Sequence, residues 1–220
     1  MKIGIIDYGS GNLHSAHNAV RQAASVACPS DEIVRITSAS ELKGCDRIIL
    51  PGVGHFANCY SSLAALDEMI DCLNDLIRVQ ARPFLGICVG MQLLAGTGNE
   101  GGKAVPGLGW IPGEVIHLGS QIEEQGLPVF KVPHMGWNHL QIHQPAHPVL
   151  AQMNSQMQVY FVHSYIFQLA QSKHCLATAS YGVDVAAVIG HENIIATQFH
   201  PEKSQRAGQC FLQEFLKWRP

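Results

Sequence analysis

Charge is scarce in this sequence. Only 14% of the 220 residues are Asp, Glu, Lys or Arg, against about a quarter in ordinary globular chains. The 14 basic and 17 acidic residues leave a net charge of −3. No basic run forms a stripe that could follow a phosphate backbone, so nucleic acid is not expected as a partner. Long apolar runs are missing too. Stretches such as residues 47–54 fall well short of the ~18 residues that span a bilayer, and no membrane helix is expected. Residues 1–7 reach a carboxylate at Asp7 before a signal peptide's apolar region of ~7 to 15 residues could form, which favours a cytoplasmic address. Paired cysteines are the third absence. The seven, at positions 28, 45, 59, 72, 88, 175 and 210, are odd in number and scattered, with no C-x-x-C. That excludes a disulfide framework and a zinc site, and makes buried free thiols the default.

What remains is a globular composition: 47% hydrophobic, with 21 Gly and 11 Pro. Disorder, coiled coil and collagen are excluded, and 220 residues are enough to bury a core. Residues 3–7 and 46–50 are dense in Ile and Leu without polar alternation, the signature of strands buried on both faces of a parallel sheet. Between them, residues 12–24 read as a helix and 32–36 as a strand. Over residues 56–79 apolar positions recur at steps of three and four, which predicts one amphipathic helix. A strand at 83–88 and a helical stretch at 91–95 follow, so strand alternates with helix through the first 95 residues. From 110 to 199 the segments become short and β-prone (129–132, 137–142, 159–167 and 193–199), as antiparallel strands at the sheet's edge or layered over it would be. Ser204 is placed to N-cap a last helix. With no linker or repeat, residues 1–220 are expected to form a single α/β domain.

Two motifs carry chemistry. In Gly86-Ile-Cys-Val-Gly90 a cysteine flanked by glycines stands where a strand turns into a helix. Such an elbow lifts the side chain out of the sheet, and the helix N-terminus favours a thiolate. A buried cysteine beside packing glycines would give the same string. In Gln198-Phe-His-Pro-Glu-Lys-Ser204, His200 and Glu202 stand two apart. In an extended segment they would share a side, so the carboxylate could hold the imidazole while its other nitrogen meets a thiol. A surface loop is the plainer alternative. Both motifs fall at strand ends, where α/β sheets bind their ligands.

GICVGMQ (86–92) together with QFHPEKS (198–204) resembles the class I, or triad, glutamine amidotransferases. The resemblance runs over nearly the whole chain, through DYGSGN (7–12), LPGVGHF (50–56), GLGWIPG (107–113), PHMGWN (133–138), YFVHSY (160–165) and AAVIGHENIIATQFHPEKS (186–204). It implies an α/β sandwich with a mixed, mostly parallel sheet flanked by helices and extended by antiparallel strands. It implies Cys88 as nucleophile, His200 as acid and base, and Glu202 as its orienting partner. Oxyanion donors would be the Val89 amide and the Gly52 or Val53 amide, in a loop whose flanking glycines leave it free for a partner to gate. Gln92 and His163-Ser164-Tyr165 would hold glutamine. Asp7, Asn12 and the segment holding Pro133, Met135, Trp137 and Asn138 would face a partner, since an exposed Trp beside Met and Pro is a common interface anchor. That partner is expected to be an ammonia-consuming (β/α)8-barrel cyclase subunit on another chain. A surface-sugar amidating enzyme is the alternative acceptor, and a thiol peptidase-like hydrolase the alternative chemistry. No cofactor or metal is expected. Gly96-x-Gly-x-x-Gly101 follows a helix rather than a strand, and His139 and His143 stand on a strand without acidic neighbours.

Overall fold

In a computed structural model, residues 1–126 and 130–220 are described. The chain order is β1 (Lys2–Ile6), α1 (Leu13–Ala27), β2 (Glu32–Ile36), α2 (Ala39–Leu42), β3 (Arg47–Gly52), α3 (Phe56–Ala64), α4 (Met69–Asn74), β4 (Phe84–Cys88) and α5 (Val89–Gln92). Then come β5 (Thr97–Gly98), β6 (Val105–Pro106), β7 (Gly113–His117), α6 (Leu118–Glu124), β8 (His134–His139), β9 (Gln141–Ile142), β10 (Gln158–His163) and β11 (Tyr165–Leu169). The last four are β12 (Cys175–Tyr181), β13 (Val183–His191), β14 (Ile194–Thr197) and α7 (Gln205–Lys217).

Among the described residues eight strands form the main sheet, in the order β2-β1-β3-β4-β14-β13-β12-β9. The first five run parallel and the last three are joined antiparallel. Ile3, Ile5, Ile6, Ile48, Ile49 and Leu50 are wholly buried, which is why their strands show no polar alternation. The step from β1 to β2 runs in one direction along the sheet, and the steps to β3 and β4 in the other. Right-handed crossovers therefore put α1 on one face with α7, and α2, α3 and α4 on the opposite face. A second layer holds the antiparallel pair β8-β10 and the small sheet β11-β7-β5-β6. The fold class is the expected α/β one, and the added strands lie both at the sheet edge and over it.

Several local expectations are corrected. The stretch 56–79 is not one helix: it is interrupted after Ala64, passes Glu68 at a left-handed φ of 55°, and ends as a π-turn at Asp75–Val79. On an unbroken helix at 3.6 residues per turn, the buried set Phe56, Cys59 and Leu63 would point roughly 100° away from the set Met69, Cys72, Leu73, Leu76 and Ile77. The break turns both sets toward the core. The helix expected at 91–95 is instead α5, which starts at Val89 and ends at Gln92. Of the strand expected at 129–132, residue 129 lies outside the described residues and 130–132 carry no strand. β8 starts just after Pro133, which has no N–H to give a ladder. Segments 137–142 and 159–167 each divide between two sheets, turning at buried Leu140 and at Ser164. Ser204 does precede α7, but its hydroxyl does not cap the helix. It donates to His200 O at 2.6 Å and accepts from Tyr160 N–H at 2.9 Å.

Candidate active site

β3, β4 and β14 end side by side, and their carboxyl ends bring Gly52, Cys88 and the segment after Thr197 together. Cys88 sits at φ 54° and ψ −110°, a conformation that L-residues adopt at a cost of about 1–3 kcal/mol when the surroundings impose it. The imposing contact is the passage of α5 over β3. A Cβ on Gly90 would stand 1.9 Å from Leu50 O, and one on Gly86 2.7 Å from Gly90 O. Only glycine fits at either place, and the elbow follows. Val89 is the first residue of α5, so its N–H belongs to the first turn of donors that have no partner within the helix.

His200 reaches the same place from β14. Its N–H donates to Tyr160 O at 3.0 Å, and its ring Nδ1 lies 2.7 Å from Glu202 Oε1. The pair is made by a 3₁₀ turn, Pro201–Lys203, rather than by the extended segment expected from sequence. His200 Nε2 is buried and has no hydrogen-bond partner among the described residues. Burial disfavours charge on His200, but the Cys88 thiol and the Glu202 carboxylate outweigh it and raise its pKa to about 10. His200 is thereby a base strong enough to take the Cys88 proton, leaving an imidazolium beside a thiolate. Glu202 Oε2 is also buried without a partner among the described residues, behind His200, beside a cleft lined by Ser15, Asn18 and Gln209.

The expected site residues divide into those that line one cleft and those that do not. A cleft of 520 Å³ is lined by Cys88, Val89, Gln92, His200, Val53, His163, Ser164, Tyr165, Asn12 and Pro133, with Glu100 and Lys203 at its margin. A roomier open groove of 590 Å³ beside Trp137 is lined by no thiol and no histidine, so the Cys88–His200 set belongs to the 520 Å³ cleft. Glu202 stands behind His200, and Gly52 faces Cys88 across the β3–β4 ladder. Gln92 Nε2 donates to Tyr165 O and to Gln198 Oε1, both at 3.0 Å, so its carbonyl oxygen is the end left for a ligand. The His163 ring is spent internally, with Nδ1 on Tyr165 O and Nε2 on His134 Nδ1, both at 3.0 Å. What this segment offers a ligand is backbone and the Ser164 side chain. Met135 and Trp137 are exposed and Asn12 lies at the cleft. Asp7 departs from expectation: it is buried, bonded to Arg35 and to Gly9 N–H. Asn138, half-buried, donates to Ser180 O at 2.9 Å.

Sequence reasoning passed over the residues that hold these groups. Ser10 Oγ donates to Val53 O at 2.7 Å, with the Cys59 thiol on the same oxygen at 3.4 Å. Tyr8 OH donates to Pro51 O at 2.9 Å. Gln198, fully buried, donates from Nε2 to Cys88 Sγ at 3.7 Å. Only Gln198 had a signal in the sequence, a lone amide on an apolar strand two residues before His200.

The comparisons agree with one another. The family model for glutamine amidotransferase class-I matches residues 4–218. The chain is 48% identical over 220 residues to the imidazole glycerol phosphate synthase subunit HisH of Rhodospirillum rubrum, covering 100% of each. It is 44% identical over 223 residues to the subunit of that name from Rhodopseudomonas palustris, again covering 100% of each. Among solved structures, a glutamine amidotransferase superposes with TM-score 0.70 at 17% identity, over 98% of this chain and 97% of that one. A putative GMP synthase subunit from Thermoplasma acidophilum gives 0.67 at 20% identity, over 99% and 92%. These distant likenesses speak for the fold.

Proposed function

The chain belongs to the class-I glutamine amidotransferase family, and from that premise we propose that it is the glutaminase subunit of an imidazole glycerol phosphate synthase. It hydrolyses glutamine to glutamate and ammonia. The ammonia passes to a separate (β/α)8-barrel cyclase subunit, which makes imidazole glycerol phosphate and the aminoimidazole carboxamide ribotide of histidine biosynthesis, in the cytoplasm. The observation that carries the reading is Cys88 on its strained elbow beside His200, whose far nitrogen is 2.7 Å from Glu202. Full-length relatives of that name support the choice of acceptor.

The Cys88 proton moves to His200 Nε2, and the thiolate attacks the side-chain amide carbon of glutamine. The carbonyl electron pair moves onto oxygen, where the Val89 N–H and an N–H of the Gly52–Val53 loop receive it. His200 returns its proton to the amide nitrogen as the C–N bond breaks and ammonia leaves. A water, deprotonated by His200, then attacks the thioester carbon, and the C–S bond breaks to give glutamate and the restored thiolate. Glu202 keeps the imidazole oriented through both passages. Gln92, with both amide hydrogens spent inside the protein, accepts from a donor of glutamine. Partner binding gates the loop that carries Val53.

The test is ammonia release from free glutamine, with and without the cyclase, by wild type and by Cys88→Ala. Wild type should release ammonia, more so with the cyclase, and Cys88→Ala should fall to background. Equal turnover by both proteins would overturn the mechanism, and equal turnover with and without the cyclase would overturn the gating.

A further inference from the structure

The amide of Gln198 has only one orientation open to it. A backbone carbonyl can only accept, and Tyr165 O is met by Gln92 Nε2 at 3.0 Å and by His163 Nδ1 at 3.0 Å. Gln92 therefore presents its NH2 group, and the second hydrogen of that group goes to Gln198 at 3.0 Å. The atom of Gln198 that receives it must be the oxygen, which leaves its NH2 toward Cys88 Sγ at 3.7 Å. Reversing either amide would set oxygen against oxygen or NH2 against NH2. On the other side of the carbonyl the same reasoning fixes two histidines. With Nδ1 donating to Tyr165 O, a neutral His163 accepts at Nε2 from His134 Nδ1 at 3.0 Å, and His134 Nε2 accepts from Asn138 Nδ2 at 3.3 Å. Burial keeps both rings uncharged, lowering His134 to about 4 and His163 to about 3. His134 is also clasped between the rings of Phe161 and Tyr181, at centroid distances of 4.6 and 4.1 Å. The Tyr165 carbonyl is thus held on one side by a packed histidine pair, and it orients the two glutamines on the other.

We propose that Gln198 is a further catalytic residue, a fixed amide donor that stabilises and aims the Cys88 thiolate, with Gln92 and the Tyr165 carbonyl as the elements that fix it. The inference rests on the glutaminase reading of the site. When the S–H bond of Cys88 breaks and its proton goes to His200 Nε2, the negative sulfur gains a hydrogen bond that was already aimed at it. A hydrogen bond to a charged group strengthens in a buried site. Gln198 has no exposed surface and reaches no part of the open cleft, so its effect falls on the sulfur and not on substrate affinity. The other titratable groups around the sulfur are His200 with Glu202 behind it, Tyr8 and Cys59 under the β3 loop, His163, and Glu100 and Lys203 at the cleft margin. All of them stay in place in the variants below.

The experiment follows iodoacetamide alkylation of Cys88 against pH, resolved by peptide mass spectrometry, in full-length wild type, Gln198→Met, Gln198→Asn and Gln92→Met. Methionine keeps the length and a weak acceptor for Gln92 but has no N–H. Asparagine keeps the amide but withdraws it from the sulfur. Both Gln198 variants should raise the apparent pKa of the thiol by about one unit or more. Each should lower glutaminase kcat about tenfold with KM little changed. Gln92→Met should shift the thiol in the same direction by less, and it should add nothing in the Gln198→Met background. An unchanged alkylation profile in any folded Gln198 variant overturns the proposal, as does a loss seen in KM alone. If the Gln198 variants do not fold, an unshifted Gln92→Met profile overturns it. Alkylation needs no glutamine, so these outcomes stand apart from wild-type ammonia release, which tests the functional reading itself.

Discussion

At Cys88 a strained backbone meets a neighbouring imidazole and an aimed amide brought from a distant strand end. The strain is held by atoms that have no chemistry of their own. Leu50 O lies where a Cβ of residue 90 would be, so α5 can cross β3 only at a glycine. Gly90→Ala should therefore displace Val89 and Cys88 together. It is expected to cost about 1–3 kcal/mol of stability as an overpacked site and to reduce ammonia release far more than that loss of stability would, as read by thermal unfolding alongside turnover. A variant that keeps wild-type turnover would show that the elbow does not depend on this close approach. The cysteine, the histidine and the carboxylate stand in two short motifs, and the resemblance over the rest of the chain names their roles. Ser10 and Tyr8 carry no such signal and Gln198 only a lone amide on an apolar strand, because a hydroxyl or amide becomes a support only when the fold brings its acceptor close. Those acceptors lie 43, 43 and 110 residues away along the chain.

At the scale of elements, the β8-β10 pair ties the cleft to the exposed face that carries Met135 and Trp137. β10 places His163 beside Ser164 and Tyr165, and β8 places His134 against it, opposite in the ladder. Both histidines are lowered by burial, His134 to about 4 and His163 to about 3, against about 6.5 in the unfolded chain. The unfolded state thus binds more protons below pH 6.5. Stability from this pair is present above about pH 6.5 and lost progressively as the pH falls toward 4 and then 3. Unfolding midpoints measured between pH 7 and 4 should fall in wild type and fall less in His134→Phe, which keeps a ring between Phe161 and Tyr181. Parallel curves for the two proteins would mean that His134 carries none of the acid sensitivity. Periodicity located most of the buried strands but joined α3 and α4 into one helix, because steps of three and four recur on both sides of the break. Only the direction of the core shows that the two apolar faces differ.

Taken whole, the molecule puts its reactive cleft and an exposed apolar patch in reach of one another. Pro133 lines the cleft, and Met135 and Trp137 alternate outward on the same strand, 60% and 44% exposed. Under the proposed pairing with a cyclase subunit, Trp137→Ala should weaken association about tenfold or more, read by titration of one subunit into the other. Alkylation of Cys88 in the isolated chain should be unchanged. An unaltered affinity would remove Trp137 from the interface. Among the described residues no helix is long and apolar enough to cross a membrane.

Alternation of strand and helix follows from residue types at short spacing, because a buried strand is a local object. Cys88 and the His200–Glu202 pair stand in short strings that a packing cysteine or a surface loop would also produce, and they are singled out by the resemblance that runs over nearly the whole chain. Tertiary structure alone decided that Asp7 turns inward to Arg35, that the His163 ring supports the cleft instead of facing it, and that Ser204 binds the His200 turn instead of capping α7. A polar side chain acts through its hydrogen-bond partners, and each of these three takes its role from packing that residue type alone does not specify.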